Sequence, residues 1–280
     1  MRRTPKAAVF NDLTGYGRCS LTVAIPTLTN MGVCCCPAPT AILSNHTGFE
    51  RFFMVDFTDN LQGYIDGWRE QNVRFDCVYT GFLGSERQTS ILEPYLEECR
   101  RAGALLVVDP VMGDQGKLYQ CYTEEMIRGM RRMIAQADII TPNFTEACFL
   151  LGREYEDTVS DETIRDYLRQ LADMGPGTVC ITGVAQGDGN ANWGYDREAG
   201  DYVKSPFSML PVHYSGTGDL FCSLLIGYVL HGKSLSWSLN RIGELITKAV
   251  SMTYEMGSPV LEGVLLEPLF QEETLLKLPR

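Results

Sequence analysis

Ser215-Gly216-Thr217-Gly218-Asp219 runs directly into the apolar stretch Leu220 to Leu230. Two glycines, a hydroxyl and a carboxylate stand where a loop must turn into a helix. Glycine lets backbone N–H groups come close to a ligand, and a helix start leaves several of them without a partner. Together with the positive end of the helix dipole they favour an anion, typically a phosphate. Asp219 falls in the first turn, where its charge opposes that of a bound phosphate. Two readings account for it. One is a carboxylate that stabilises the helix N-terminus behind a flexible turn. The other is a base that takes the proton from a hydroxyl attacking the phosphate.

Upstream of this motif, short apolar runs alternate with longer amphipathic segments. Ala7–Phe10, Val33–Leu43, Phe75–Thr80, Ala104–Val108, Ala137–Ile140 and Thr178–Ile181 read as strands. Ser20–Met31, Asp59–Asn72, Ser85–Ala102, Thr123–Gln136 and Asp161–Met174 read as helices, with Pro94 expected to kink or restart the third. Such alternation implies a mostly parallel sheet with helices on both faces. Two short strands, Ala191–Tyr195 and Asp201–Lys204, flank a turn and read as a hairpin on the sheet edge. A last helix is expected over Ser236–Met256. With no linker or repeat, residues 1–280 read as a single domain.

The bulk numbers exclude several functions. The chain of 280 residues is 45% hydrophobic and 21% charged, with a formal net charge of −11. That balance argues against a nucleic acid or an anionic membrane as partner, but leaves room for a small anionic substrate in a local site. No segment is long and apolar enough to span a bilayer, and the apolar stretch after the basic start is too short for a signal peptide. A cytoplasmic location is expected, with the ten cysteines as thiols. The cysteines lack a Cys-x-x-Cys pair and the three histidines are scattered, so zinc is not expected.

In parallel sheets ligands gather beyond the carboxyl ends of the strands. The polar groups in those positions are Asn11-Asp12, Ser44-Asn45-His46-Thr47-Gly48, Thr80-Gly81-Phe82, Asp109-Pro110-Val111-Met112-Gly113-Asp114, Thr141-Pro142-Asn143-Phe144-Thr145-Glu146 and Thr182-Gly183. All can converge on one crevice. Asn143 and Glu146 also suit a helix start, Asp109 and Asp114 suit turns, and His46 suits a buried, hydrogen-bonded histidine. Two further patterns are set aside. Gly227 to Ser234 matches a phosphate-loop signature formally, but Gly227 falls inside a helix with no strand before it. Gly15-x-Gly17-x-x-Ser20 is half of a dinucleotide fingerprint, and no acidic residue closes a second strand about 20 residues on.

Together the glycine–Asp motif, the Asp109–Asp114 segment and Thr141-Pro142-Asn143-x-x-Glu146 resemble the ribokinase superfamily. With Ser44-Asn45-His46-Thr47-Gly48 they resemble its vitamin B6 branch, the pyridoxal/pyridoxamine kinases, from about Ala7 to Met256. The resemblance implies a ribokinase-like three-layer α/β sandwich. It implies ATP-dependent phosphorylation of a hydroxymethyl group on a pyridine ring. Asp219 would then be the base. The N–H groups of Gly216, Thr217 and Gly218 would form the anion hole. Asp109, Asp114, Asn143 and Glu146 would organise magnesium and the phosphates, with Glu146 and Asp109 nearest the metal. Thr182, Gly183 and Val212 would meet the nucleotide, and Asn11 or Asp12, Thr47 and Phe82 the pyridine. ATP and Mg2+ follow as cofactors, a monovalent cation is a further candidate, and a homodimer is implied. The chain departs from the branch in its first loop, where many members have Ser-His, at Phe82, where many have Tyr, and after Asp114. The related hydroxymethylpyrimidine kinases carry an Asp in the first loop, as Asp12 here, and remain an alternative. A catalytically silent metabolite-binding protein on the same fold is another.

Overall fold

The computed structural model describes residues 3–119, 122–187, 189–207 and 212–276. Its strands are β1 (Lys6–Thr14), β2 (Cys34–Leu43), β3 (Met54–Asp56), β4 (Cys77–Thr80), β5 (Leu105–Val108), β6 (Gly113–Asp114), β7 (Lys117–Leu118), β8 (Ile139–Ile140), β9 (Thr178–Gln186), β10 (Gly189–Asp196) and β11 (Asp201–Phe207). Its helices are α1 (Leu21–Asn30), α2 (Thr58–Glu70), α3 (Glu86–Arg101), α4 (Glu124–Ile134), α5 (Phe144–Leu151), α6 (Asp161–Asp173), α7 (Thr217–Leu230), α8 (Leu235–Glu255) and α9 (Glu267–Glu272).

Nine strands form one sheet in the order β11-β10-β9-β8-β5-β4-β1-β2-β3. The pairs from β2 across to β9 are parallel, and β3, β10 and β11 run antiparallel at the two edges. The chain winds outward from β1 to β2, then returns to lay β4 on the other side of β1. The β1–β4 junction is therefore a topological switch point, where the strand ends open a crevice. Alternation along β1 divides the core. Ala8 and Phe10 face one apolar layer, under α2, α3, α4 and α6. Ala7 and Val9 face the other, under α1, α7 and α8. By the same period of two, Asn11 faces the α7 side.

Helix α7 is apolar nearly all round, which suits a helix buried on every side. Leu220 to Tyr228 are buried without a break. Gly227 lies against α1, since a Cβ there would stand 2.3 Å from Met31 Sδ. Ser234 caps α8 by accepting from Trp237 N. Helix packing and capping thus explain the formal phosphate-loop match.

Most expected elements appear within a few residues. Three differences have physical causes. Helix α3 passes through Pro94 without restarting. Pro94 and Ser90 are both exposed, so the carbonyl that loses its partner faces water. Helix α5 is absent from the expected helices, although Asn143 and Glu146 suit a helix start. It forms because Asn143 and Glu146 make a reciprocal capping box at its start and Gly152 takes a left-handed turn at its end. The hairpin β6–β7 and the three-residue β3 were also not expected. Gly113 lets the hairpin close, since a Cβ there would meet Lys117 O at 2.2 Å. Each described cysteine is a free thiol. Among the described residues no helix is long and apolar enough to cross a membrane.

Candidate active site

The strand-end loops surround one cavity of about 970 Å³. All fifteen residues singled out above line it, from Asn11, Asp12, Thr47 and Phe82 at one end to Asp109, Asp114, Asn143, Glu146, Thr182, Gly183 and Val212 at the other. Gly216, Thr217, Gly218 and Asp219 also belong to its wall.

Gly216 caps α7 with φ 85° and ψ −3°, a conformation that glycine takes without strain. The first intrahelical bond runs from Leu220 N to Gly216 O, at 2.9 Å. The amides of Thr217 and Gly218 precede it and have no acceptor inside the helix. Thr217 Oγ1 turns back to donate to Tyr214 O.

Asp219 follows in the first turn with each oxygen held. Oδ1 accepts from Asn11 Nδ2 at 3.1 Å, and Oδ2 accepts from Ser20 N at 2.7 Å. Asn11 is fully buried, and its Oδ1 accepts from Phe82 N and Asp12 N. These two donors fix the amide so that its nitrogen faces Asp219. Gly81 makes room for it, since a Cβ there would stand 2.4 Å from Asn11 Nδ2. Asp12 is buried, and its oxygens accept from Ser20 Oγ and Thr14 Oγ1. The polar atoms of Asn11 and Asp12 are thus spent largely inside the protein, and Asn11 acts on Asp219. Ser20 itself has φ 53° and ψ −127°. For a residue with a side chain that backbone costs about 1–3 kcal/mol.

Burial lifts the Asp219 carboxyl to about 6, with Asp12 adding to the rise and the Ser20 and Asn11 hydrogen bonds opposing it. Asp109 also lies above the usual carboxylate range, through burial and then the charge of Asp219. Glu146 is raised by burial and by Asp109, against the pull of the two amides it accepts. Those amides are Met112 N at 3.0 Å and Asn143 N at 2.7 Å. Asn143 accepts from Glu146 N and donates to Gly113 O, tying α5 to the β6–β7 hairpin. Asp114 on that hairpin reaches His213 Nε2 at 3.4 Å across the cavity.

No Lys or Arg stands among the described residues of the wall. Nor do three or more His, Cys, Asp or Glu side chains gather as a metal cage among the described residues. Hard oxygen donors without a cage fit magnesium, which keeps water and phosphate ligands and takes one or two carboxylates. The oxygen donors of the wall are of the kind that suits magnesium.

His46 proves to be a structural pin. Its Nδ1 accepts from Gly48 N and its Nε2 bonds Leu261 O, which makes Nε2 the protonated nitrogen. Gly183 N donates to Asn192 Oδ1, setting the turn after Thr182. Thr47 is exposed at the rim, and Phe82 is half-buried. One wall escaped the reading of the sequence. Gly243, Ile246, Thr247, Val250 and Ser251 of α8 face the cavity beside Val212. Their signal was present as small residues four apart, at 243, 247 and 251, along a single helix face.

A glycine-capped helix start, a poised carboxylate and an acidic, cation-seeking wall at the switch point of a three-layer sandwich define a small-molecule kinase of the ribokinase-like fold. A model of the phosphomethylpyrimidine kinase family matches residues 22–262, and the chain belongs to that family. A Bacteroides thetaiotaomicron protein assigned as a phosphomethylpyrimidine kinase, solved in a crystal form with pyridoxal, is 41% identical. It superposes with a TM-score of 0.93 over 96% of both chains. Pyridoxal kinase from Lactobacillus plantarum is 32% identical, with a TM-score of 0.88 over 96% of both chains. A pyridoxal kinase of Rubrobacter xylanophilus is 26% identical over 89% of this chain and 88% of its own.

Proposed function

We propose that this protein transfers the terminal phosphoryl group of ATP to the 5′-hydroxymethyl group of a vitamin B6 vitamer: pyridoxal, pyridoxamine or pyridoxine. The observation that carries the reading is Asp219, held by two donors beside the free amides of α7 in a cavity shared by all the strand-end loops. The 41% identical relative solved with pyridoxal supports the choice of acceptor. In phosphoryl transfer the protein mainly positions the reactants and stabilises charge. The acceptor lies between Thr47 and Phe82, with its hydroxyl toward Asp219. Asp219 takes the proton while the amides of Gly216, Thr217 and Gly218 receive the moving phosphoryl oxygens. Asp109, Asp114, Asn143 and Glu146 hold the phosphate end, Thr182, Gly183 and Val212 the nucleoside, and the small-residue face of α8 offers a flat surface to the base. Magnesium, when bound, supplies the positive charge that this wall lacks; a monovalent cation would add to it. We read the chain as one catalytic domain of a cytoplasmic enzyme. Phe52, Phe53, Met54 and Val55, all exposed along the β3 edge, support a homodimer through that side.

A second acceptor, hydroxymethylpyrimidine, is favoured by the family match. Competition between the pyrimidine and a panel of B6 vitamers, with ATP and magnesium, decides between them. The expected result is a kcat/KM for at least one vitamer well above that for the pyrimidine. Preference for the pyrimidine, or transfer to neither, overturns the reading.

The pH profile offers a further check. A base must be ionised to act, so activity is present above its pKa and lost below it. With Asp219 raised to about 6, kcat/KM is expected to rise through pH 6 and level off toward neutrality. A flat profile between pH 5 and 7 contradicts the assignment. Gly81→Ala tests the brace. The added methyl displaces Asn11 and removes one hydrogen bond to the charged base, so kcat is expected to fall about tenfold or more. Steady-state rates measure this, with thermal unfolding confirming that the variant is folded.

A further inference from the structure

Ser20 stands where a serine ordinarily caps a helix, at the start of α1, yet its side chain makes no cap bond. Its Oγ donates instead to Asp12 Oδ1, and Thr14 Oγ1 holds the other oxygen of that buried carboxylate. Its backbone has positive φ, which among the described non-glycine residues recurs only at Asn72 and Gln115. In that conformation its N–H donates to Asp219 Oδ2 at 2.7 Å. A side chain spent on a buried anchor, a disfavoured backbone and an amide aimed at the candidate base form one connected device.

We propose that Ser20 is a positioning residue: Asp12, by holding its hydroxyl, keeps its backbone in this conformation and so aims its amide at Asp219. The inference rests on the reading of Asp219 as the base. An amide donor on Oδ2, opposite the Asn11 amide on Oδ1, fixes the plane of the carboxylate. The remaining lone pairs then point in one set direction, toward the acceptor hydroxyl. The hydroxyl of Ser20 is not itself required to touch a substrate.

Two substitutions separate this role from a general structural one. Ser20→Ala removes the anchor while keeping a side chain that disfavours positive φ, so the backbone relaxes and the amide leaves Asp219. Ser20→Gly also removes the anchor, but glycine adopts the same backbone freely. Expected is a fall in kcat of about tenfold or more for Ser20→Ala, the loss of one hydrogen bond to a charged group, with KM for both substrates little changed. Ser20→Gly is expected to stay close to wild type. Full activity in Ser20→Ala overturns the proposal. So does an equal loss in both variants with a raised KM, which would mean that the hydroxyl contacts a substrate. Crystal structures of the three proteins give a readout independent of turnover. Residue 20 should keep positive φ and its bond to Asp219 in the wild type and Ser20→Gly, and lose both in Ser20→Ala. An unchanged backbone in Ser20→Ala overturns the inference. A wild type inert toward every vitamer counts against the proposed function alone, and the crystallographic result still decides the role of Ser20.

Discussion

Asp219→Asn is expected to abolish most turnover while leaving nucleotide binding in place and removing the fall in thermal stability that the wild type shows as pH rises through about 6. The rate loss follows from removing the proposed general base, about 10²–10⁴-fold in kcat. The change in pH dependence follows from linkage. The folded state raises this carboxyl to about 6, above the ordinary value near 4. It therefore binds the proton more tightly than the unfolded chain does. Stability from this group is fully present below the unfolded value and is lost as pH rises through the folded one. At neutral pH the ionised side chain is a cost, through burial and then the charge of Asp12. An amide here does not titrate, but its NH2 must face either Ser20 N–H or Asn11 Nδ2, which opposes a gain in absolute stability. The two effects together discriminate. A carboxylate that merely stabilised the helix would, on removal, lower the melting temperature and leave catalysis alone. Kinetics and thermal unfolding on one preparation, with ATP affinity by titration, provide the check. Unchanged turnover would also leave the silent metabolite-binding reading standing.

Gly216→Ala is expected to be nearly as damaging, by another route. At φ 85° the added Cβ would meet Arg18 O at 2.4 Å, and both are backbone-fixed constraints. The turn must therefore shift, carrying the amides of Thr217 and Gly218 with it. Loss of one preorganised donor to a developing oxyanion costs about 2.7–4 kcal/mol, or 10²–10³ in kcat. In the proposed arrangement the acceptor lies on the other side of Asp219, so KM for the alcohol should move little. A variant that retains wild-type kcat would show that these amides do not serve the transfer.

The layers of the fold were legible because burial on both faces writes itself into sequence as continuous apolar runs. Leu105–Val108 and the largely apolar α7 are examples. The convergence of the loops was legible because parallel topology dictates where strand ends meet. What escaped depends on contacts between distant segments. The eight residues of α5 are too short and too evenly apolar to display a helical period. The hairpin β6–β7 depends on Gly113 lying against Lys117. Asn11 and Asp12 line the cavity, as their polarity at a strand end implied, but their internal partners, Phe82 N, Ser20 and Thr14, were not legible because they lie elsewhere in the chain. Ser20 gave no warning, since positive φ in a serine is imposed by its surroundings. The α8 wall was overlooked because small residues every fourth position also suit plain helix packing.

Among the described residues, strand β2 has a paired strand on its outer side only from Ala41 to Leu43, where β3 joins it. Before that point its sequence is Cys34-Cys35-Cys36-Pro37-Ala38-Pro39, and the two prolines have no N–H to offer. A foreign strand cannot be zipped onto this border in register. Pro37 and Pro39 thus blunt this border against the open-ended strand pairing that a bare sheet edge invites.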